Sequence, residues 1–203
     1  MDRCDPPAKL DIETNDTEHQ LAVRGFVALW HRARPRLSDL GADPATVDVL
    51  QRQGRIVVDP DDFLLGIHGL SAPPTPHHIA HRHGLIHTWC AFDAIGIPAA
   101  LGLDAQAATA CPTCGRQLQV TFIEGQPTEE PDLRLWLPNS QYEHVLDDLC
   151  AHANLYCNDE HLTAGQARPT GNSLTIAEAA AIGRVTWQDA ALAVSEDRLY
   201  RPH

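Results

Sequence analysis

The chain of 203 residues is long enough for one domain of ordinary size or for a small module followed by a larger one. Its 15 basic and 27 acidic side chains leave a formal charge of −12, which argues against a phosphate-tracking surface and so against nucleic acid as a partner. No basic run leads into an apolar core near the N-terminus, and no apolar stretch approaches the roughly 18 residues that span a bilayer.

A cytoplasmic protein without a membrane partner is therefore expected. In that setting the six cysteines, Cys4, Cys90, Cys111, Cys114, Cys150 and Cys157, read as reduced thiols, metal ligands or catalytic groups rather than a disulfide framework.

Residues 1–17 are polar, contain Pro6 and Pro7, and read as a disordered leader in which Cys4 is incidental. Thr17 and Glu18 then open a periodic run, Leu21, Val23, Phe26, Val27, Leu29 and Trp30, which predicts a helix ending near Pro35. Leu37–Leu40 before Gly41, and Pro44–Leu50 behind Asp43, predict two short helices closed by Gly54. Residues 55–58 and 63–67 are short apolar runs around Asp59-Pro-Asp-Asp62, the pattern of a hairpin. Three helices and a two-stranded wing make a winged-helix-like module over residues 18–70. Such modules usually bind DNA, but the second short helix carries Asp48 and only Arg52 as a base, so packing or lid duty suits it better.

Residues 71–84 are a Pro-rich linker running into a histidine-dense strand. His77, His78, His81 and His83 could form a metal cluster, yet no acid or cysteine is interleaved. The alternation of His77, Ile79, His81 and His83 fits an exposed strand face, the reading preferred for the His-rich segment 77–87.

Residues 85–102 organise the rest. Leu85, Ile86, Trp89, Phe92, Ala94 and Ile95 leave few polar positions before Gly96 and Pro98, which predicts a short buried helix. Cys90 and Asp93 are its polar exceptions, and a spacing of three puts both on one helix face. A thiol beside a buried carboxyl suppresses double ionisation, so one shared proton becomes available for chemistry. A small core cysteine with an aspartate capping a turn ahead of Gly96 is the plainer alternative.

Downstream, Cys111-Pro-Thr-Cys-Gly115 is a knuckle of the kind that makes half of a zinc ribbon. Gln117–Ile123 and Leu133–Leu137 alternate as strands and predict an antiparallel meander. A short helix is expected over 142–150, a strand over Cys150–Cys157, and a loop over 161–173. A capped helix at 175–182 and a last one from Trp187 complete an α+β domain spanning 85–203. On one strand, Cys150 and Cys157 would face opposite sides, so only one of them can meet Cys90.

Trp89-Cys-Ala-Phe-Asp93, the trailing Pro98-Ala-Ala-Leu-Gly102 and a distant Cys150-x-His152 with Tyr156 resemble the organomercurial (alkylmercury) lyases, closely at 85–102 and more loosely at 111–122 and 149–163. The resemblance implies a winged-helix-like front module, a mixed antiparallel-sheet and helix catalytic domain, and protonolysis of a carbon–mercury bond without a required cofactor. Cys90 and Cys150 would be the thiols that bind the substrate mercury, and Asp93 the proton carrier. Cys157 is the alternative partner of Cys90. Hg(II) would leave on cellular thiols or a mercuric reductase.

The chemistry fits those residue types. Soft Hg(II) prefers thiolates to nitrogen or oxygen ligands, and thiolate donation makes the bonded carbon protonatable. A carboxyl whose pKa is raised by apolar walls such as Trp89 and Phe92 can take a thiol proton and hand it to that carbon. Two further readings stay open at this point. Cys111 and Cys114 could hold a structural zinc completed by Cys150, Cys157, His152 or His161. Alternatively the scaffold could have diverged to bind zinc or copper, or to run another lyase reaction, with no mercury chemistry.

Overall fold

The computed structural model describes residues 15–139, 142–165 and 170–200. Cys4 and nearly all of the expected leader lie outside the described residues. Asn15 accepts a hydrogen bond from the Glu18 N–H at 3.0 Å and starts helix α1 (Asp16–Trp30) two residues ahead of the Thr17 start predicted. A 3-10 turn (Leu37–Leu40) and helix α2 (Pro44–Arg52) follow, the latter begun by the Asp43 carboxylate on the N–H groups of Ala45 and Thr46. Strands β1 (Ile56–Val58) and β2 (Leu64–Ile67) form the predicted antiparallel hairpin.

That hairpin continues into a larger sheet. After β3 (Leu70–Ser71) come β4 (His77–His81) and β5 (Gly84–Thr88), then β6 (Ala105–Ala110), β7 (Gln117–Ile123) and β8 (Gln126–Pro127). They form one eight-stranded sheet in the order β1-β2-β3-β5-β4-β6-β7-β8, with every pair antiparallel. The histidine-dense strand is thus central rather than exposed. Ile79 is fully buried between His77, whose Nδ1 lies 2.6 Å from the Thr109 hydroxyl, and His81, whose ring stacks on Trp30. Burial, reinforced by His78, pushes His77 down to about 4, so it is a neutral hydrogen-bonding residue at neutral pH.

A second sheet, in the order β10-β9-β11, holds β9 (Arg134–Pro138), β10 (Asn154–Tyr156) and β11 (Gly171–Leu174). The predicted meander of 117–123 with 133–137 does not form: β7 turns back through Gly125 to pair with β8, and β9 pairs with β10 and β11. Alternation defines a strand's faces but leaves its partner open. Helices α4 (Asp159–Gly165), α5 (Ile176–Thr186) and α6 (Gln188–Tyr200) complete the described chain, so α4 occupies part of the expected loop.

Between the sheets runs α3 (Ala91–Ala100), in which every residue from Ala91 to Ala99 is buried. The expected helix from residue 85 therefore starts six residues later, because 84–88 pair as β5. Gly96 and Pro98 do not end it. Pro98 inside a helix costs about 3 kcal/mol, whereas burying Phe92, Ile95 and Ile97 contributes roughly 1.5–3 kcal/mol each, so packing holds the helix together. Gly96 instead permits contact: α5 crosses there so closely that a Cβ on Gly183 would lie 2.2 Å from the Gly96 Cα. This crossing sets Trp187, at the end of α5, against Phe92 with ring centroids 5.3 Å apart.

Candidate active site

Cys90 is the N-cap of α3, in extended backbone, and Asp93 is its third residue. Asp93 Oδ2 accepts the Cys90 N–H at 2.9 Å, while the Asp93 N–H faces the Cys90 sulfur. The spacing of three thus serves a capping box rather than two positions on one helix face. Its sulfur and carboxyl are nevertheless neighbours.

Cys150 arrives from elsewhere. It ends a π-turn (Leu146–Cys150), in which the Ala151 N–H bonds the Leu146 carbonyl, and Asp148 secures the turn by accepting the N–H groups of Glu143 and His144. No strand runs from Cys150 to Cys157; β10 covers only Asn154–Tyr156. The Ala91 N–H donates to the Ala153 carbonyl at 3.2 Å and ties the two thiol-bearing segments together. As a result Cys90 Sγ, Cys150 Sγ and an Asp93 oxygen all lie within 4.8 Å of one another. Cys157 is not among them.

Burial controls the electrostatics. Exclusion of water drives the Cys90 thiol well up, with its hydrogen bond to Cys150 and the Asp93 charge adding to the effect. Burial also raises Asp93 to about 7, against hydrogen bonds from the Cys90 side chain and from the Cys90 and Trp89 N–H groups. At Cys150 the hydrogen bond from Cys90 favours the thiolate, but burial and Asp93 outweigh it and the thiol is raised. The centre rests as two protonated thiols beside a carboxyl that is near half-ionised at neutral pH.

A cavity of about 110 Å³ opens onto Asp93 and Cys150, with Trp89, Trp187 and Leu149 as apolar wall. Its other wall comes from α1, α2 and the turn after β2, through Ala22, Leu50, His68 and Gly69. Cys90 is completely buried behind them. Gly69, at φ +88°, sits so close that a Cβ there would lie 2.9 Å from Asp93 Oδ1. The Trp187 indole N–H donates to the His68 carbonyl at 2.9 Å and holds this turn over the carboxyl. Tyr142 is pushed up to about 12 by burial and by the charges of Cys150 and Cys90, and donates its hydroxyl to the Pro138 carbonyl at 2.6 Å. Sequence reasoning missed Gly69, Trp187 and Tyr142. Only the glycine just after a strand offered a local cue.

The remaining cysteines among the described residues gather at a second place. Cys111, Cys114, Cys157 and His161 offer ligand atoms within 4.8 Å of one another. Burial of Cys111 opposes ionisation, but N–H groups of Cys157, Cys114 and Thr113 and the His161 ring outweigh it and lower this thiol to about 6. His152 belongs to neither cluster.

Comparison with known proteins bears on both the fold and the central segment. The alkylmercury lyase family model, MerB, matches residues 70–188, more than half of the chain. An alkylmercury lyase of Bacillus cereus is 24% identical over 148 residues, covering 68% of this chain and 64% of that protein. One from Streptomyces lividans is 29% identical over 126 residues, covering 57% and 56%. The chain thus spans less than two thirds of the length of these curated relatives. The crystal structure of the mercury-bound form of MerB2 shares the fold, with a TM-score of 0.78 and 18% identity over 88% of this chain and 93% of that one. Among the described residues no helix is long and apolar enough to cross a membrane. The extent of the family match, carrying the Trp89–Asp93 segment within it, establishes that this chain belongs to the alkylmercury lyase family.

Proposed function

We propose that the chain cleaves carbon–mercury bonds of organomercurials by protonolysis, with Cys90 and Cys150 as the mercury-binding thiols and Asp93 as the proton carrier. The observation that carries the reading is the convergence of two buried thiols and one buried carboxyl within 4.8 Å. Family membership supports it.

The substrate is an organomercury bound to a small thiol. It enters by the cavity, where Cys150 and Asp93 are the reachable groups. The Cys150 sulfur bonds to mercury and the incoming small thiolate leaves with the Cys150 proton. The Cys90 sulfur then bonds as well, and its proton passes to ionised Asp93. With two thiolates donating into mercury, the bonded carbon takes the Asp93 proton, the carbon–mercury bond breaks, and a hydrocarbon leaves. Both thiol protons are thereby accounted for and no redox change occurs. Hg(II) held by the two cysteines departs to cellular thiols or a mercuric reductase. Apolar walls serve twice, keeping the carboxyl protonatable near neutral pH and excluding competing water. The front segment, read as winged-helix-like from its helices and hairpin, acts in this scheme as the second wall of the cavity.

Incubation with phenylmercury and excess small thiol tests the reading. Release of benzene over many turnovers is expected. Stoichiometric mercury capture without benzene would overturn it in favour of a thiol protein that only binds metal.

A further inference from the structure

We infer that Cys111, Cys114, Cys157 and His161 form a tetrahedral zinc site that pins the knuckle between β6 and β7 to the junction of β10 and α4. The inference is independent of the carbon–mercury chemistry.

Geometry carries it. With Zn–S near 2.3 Å and Zn–N near 2.05 Å, a tetrahedron has edges of about 3.8 Å between sulfurs and about 3.6 Å between sulfur and nitrogen. Cys114 Sγ and Cys157 Sγ are 3.6 Å apart, and Cys111 Sγ is 3.6 Å from His161 Nδ1. Those are two opposite edges of one tetrahedron, and all four ligand atoms fall within 4.8 Å. A separation of 3.6 Å is also far beyond a disulfide bond, so the sulfurs stand as separate donors.

The surrounding backbone is organised around those donors. Gly115, at φ +73°, sends its N–H to the Cys111 carbonyl at 2.8 Å, and the Cys111 N–H bonds the Arg116 carbonyl at 2.9 Å, closing the tight knuckle. Its loop N–H groups at Thr113 and Cys114, together with the Cys157 N–H, face the Cys111 sulfur. Across the gap, Asn158 Oδ1 accepts the His161 N–H at 2.9 Å and the Thr113 hydroxyl donates to the His161 carbonyl at 2.7 Å, fixing the first turn of α4 against the knuckle. Three soft sulfurs and one imidazole suit zinc, and no carboxylate takes part in the cluster. Such a Cys₃His set is a closed structural site with no position left for substrate.

The test is metal analysis of the full chain together with Co(II) substitution. We expect about one zinc per chain after purification, and an intense sulfur-to-cobalt charge-transfer band with tetrahedral ligand-field bands when Co(II) replaces it. Cys114→Ser should lose most of the bound metal and Cys90→Ser should keep it. Because loss in a variant could reflect misfolding, His161→Cys serves as the second probe: it should retain Co(II) with a stronger charge-transfer band from the added sulfur. The inference is overturned if neither Zn(II) nor Co(II) binds the wild-type chain, if the cobalt spectrum lacks sulfur ligation, or if bound zinc is lost in Cys90→Ser but kept in Cys114→Ser.

Discussion

The chain builds two sulfur clusters from cysteines that look alike in sequence, and what surrounds each cluster differs: a carboxyl in one, an imidazole and turn N–H groups in the other. At Cys90 and Cys150 water is excluded, the thiols are raised, and a carboxyl of pKa about 7 stands beside them. At Cys111 the turn's N–H groups surround the sulfur, overcome its burial, and lower it to about 6, with an imidazole rather than a carboxyl for company. The first arrangement keeps protons where a reaction can use them. The second sets one thiol primed for ionisation, Cys111, beside Cys157, whose thiol burial and its sulfur neighbours push up to about 11, so that a bound cation would have to draw the proton from the latter. Placement of donors and acceptors, not the presence of cysteine, divides the proposed reactive centre from the proposed structural one.

The largest effect that separates the clusters is on turnover. Cys90→Ser keeps the volume and a good helix cap, yet removes the soft donor. Hydrocarbon release should fall by roughly three orders of magnitude or more, while the zinc content stays. Gas chromatography of the product and metal analysis of the same sample check both halves, and retained turnover would erase the distinction between the clusters.

The next effect is pH dependence. If, as proposed, ionised Asp93 takes the thiol proton, kcat/KM should drop about tenfold per pH unit below about 7 and level off above it. The same raised carboxyl acts on stability with a definite sign. Between its ordinary value of 3.8 and about 7 the folded chain holds a proton that the unfolded chain has released, so stability contributed by this group falls as pH rises across that window. The loss is on the order of 4 kcal/mol, and denaturant titrations should find that slope missing in Asp93→Asn.

A smaller effect sharpens the boundary of the reactive centre. Gly69→Ala forces a side chain onto φ +88° and sets a methyl 2.9 Å from Asp93 Oδ1. Gly41→Ala also occupies a left-handed position, φ +61°, with nothing within 4 Å. Both should lose about 1–2 kcal/mol in denaturant melts. Only Gly69→Ala should also slow hydrocarbon release, by several-fold, and shift the pH limb, since only it displaces the carboxyl.

Legibility in the sequence followed distance along the chain. The Cys111–Cys114 knuckle was readable because five consecutive residues make it, and the closeness of Cys90 to Asp93 was readable for the same reason, although a capping box rather than a helix face produces it. What a distant segment contributes was harder. The sequence separates Cys150 from Cys157 as two faces of one strand, whereas a π-turn and the short β10 divide them. Two ligands of the proposed zinc site, Cys157 and His161, could only be named among several candidates, because the chain does not announce which loop will fold over a knuckle. Trp187 is invisible in the sequence and Gly69 shows only as a glycine just after a strand, since the importance of both lies in touching residues far off in sequence. In sequence the helix–helix crossing at Gly96 reads as a stop signal, because close approach and chain breaking both call for glycine.

One single-turnover measurement goes to the centre of the account. Asp93→Asn preserves shape and removes the titratable proton, so a stoichiometric mixture with phenylmercury should still form the thiolate–mercury bond, seen as sulfur-to-mercury ultraviolet absorption. Benzene release should be slower than in the wild-type chain by about 10²–10⁴-fold. Capture of mercury followed by benzene at the wild-type rate would contradict the role given to the carboxyl.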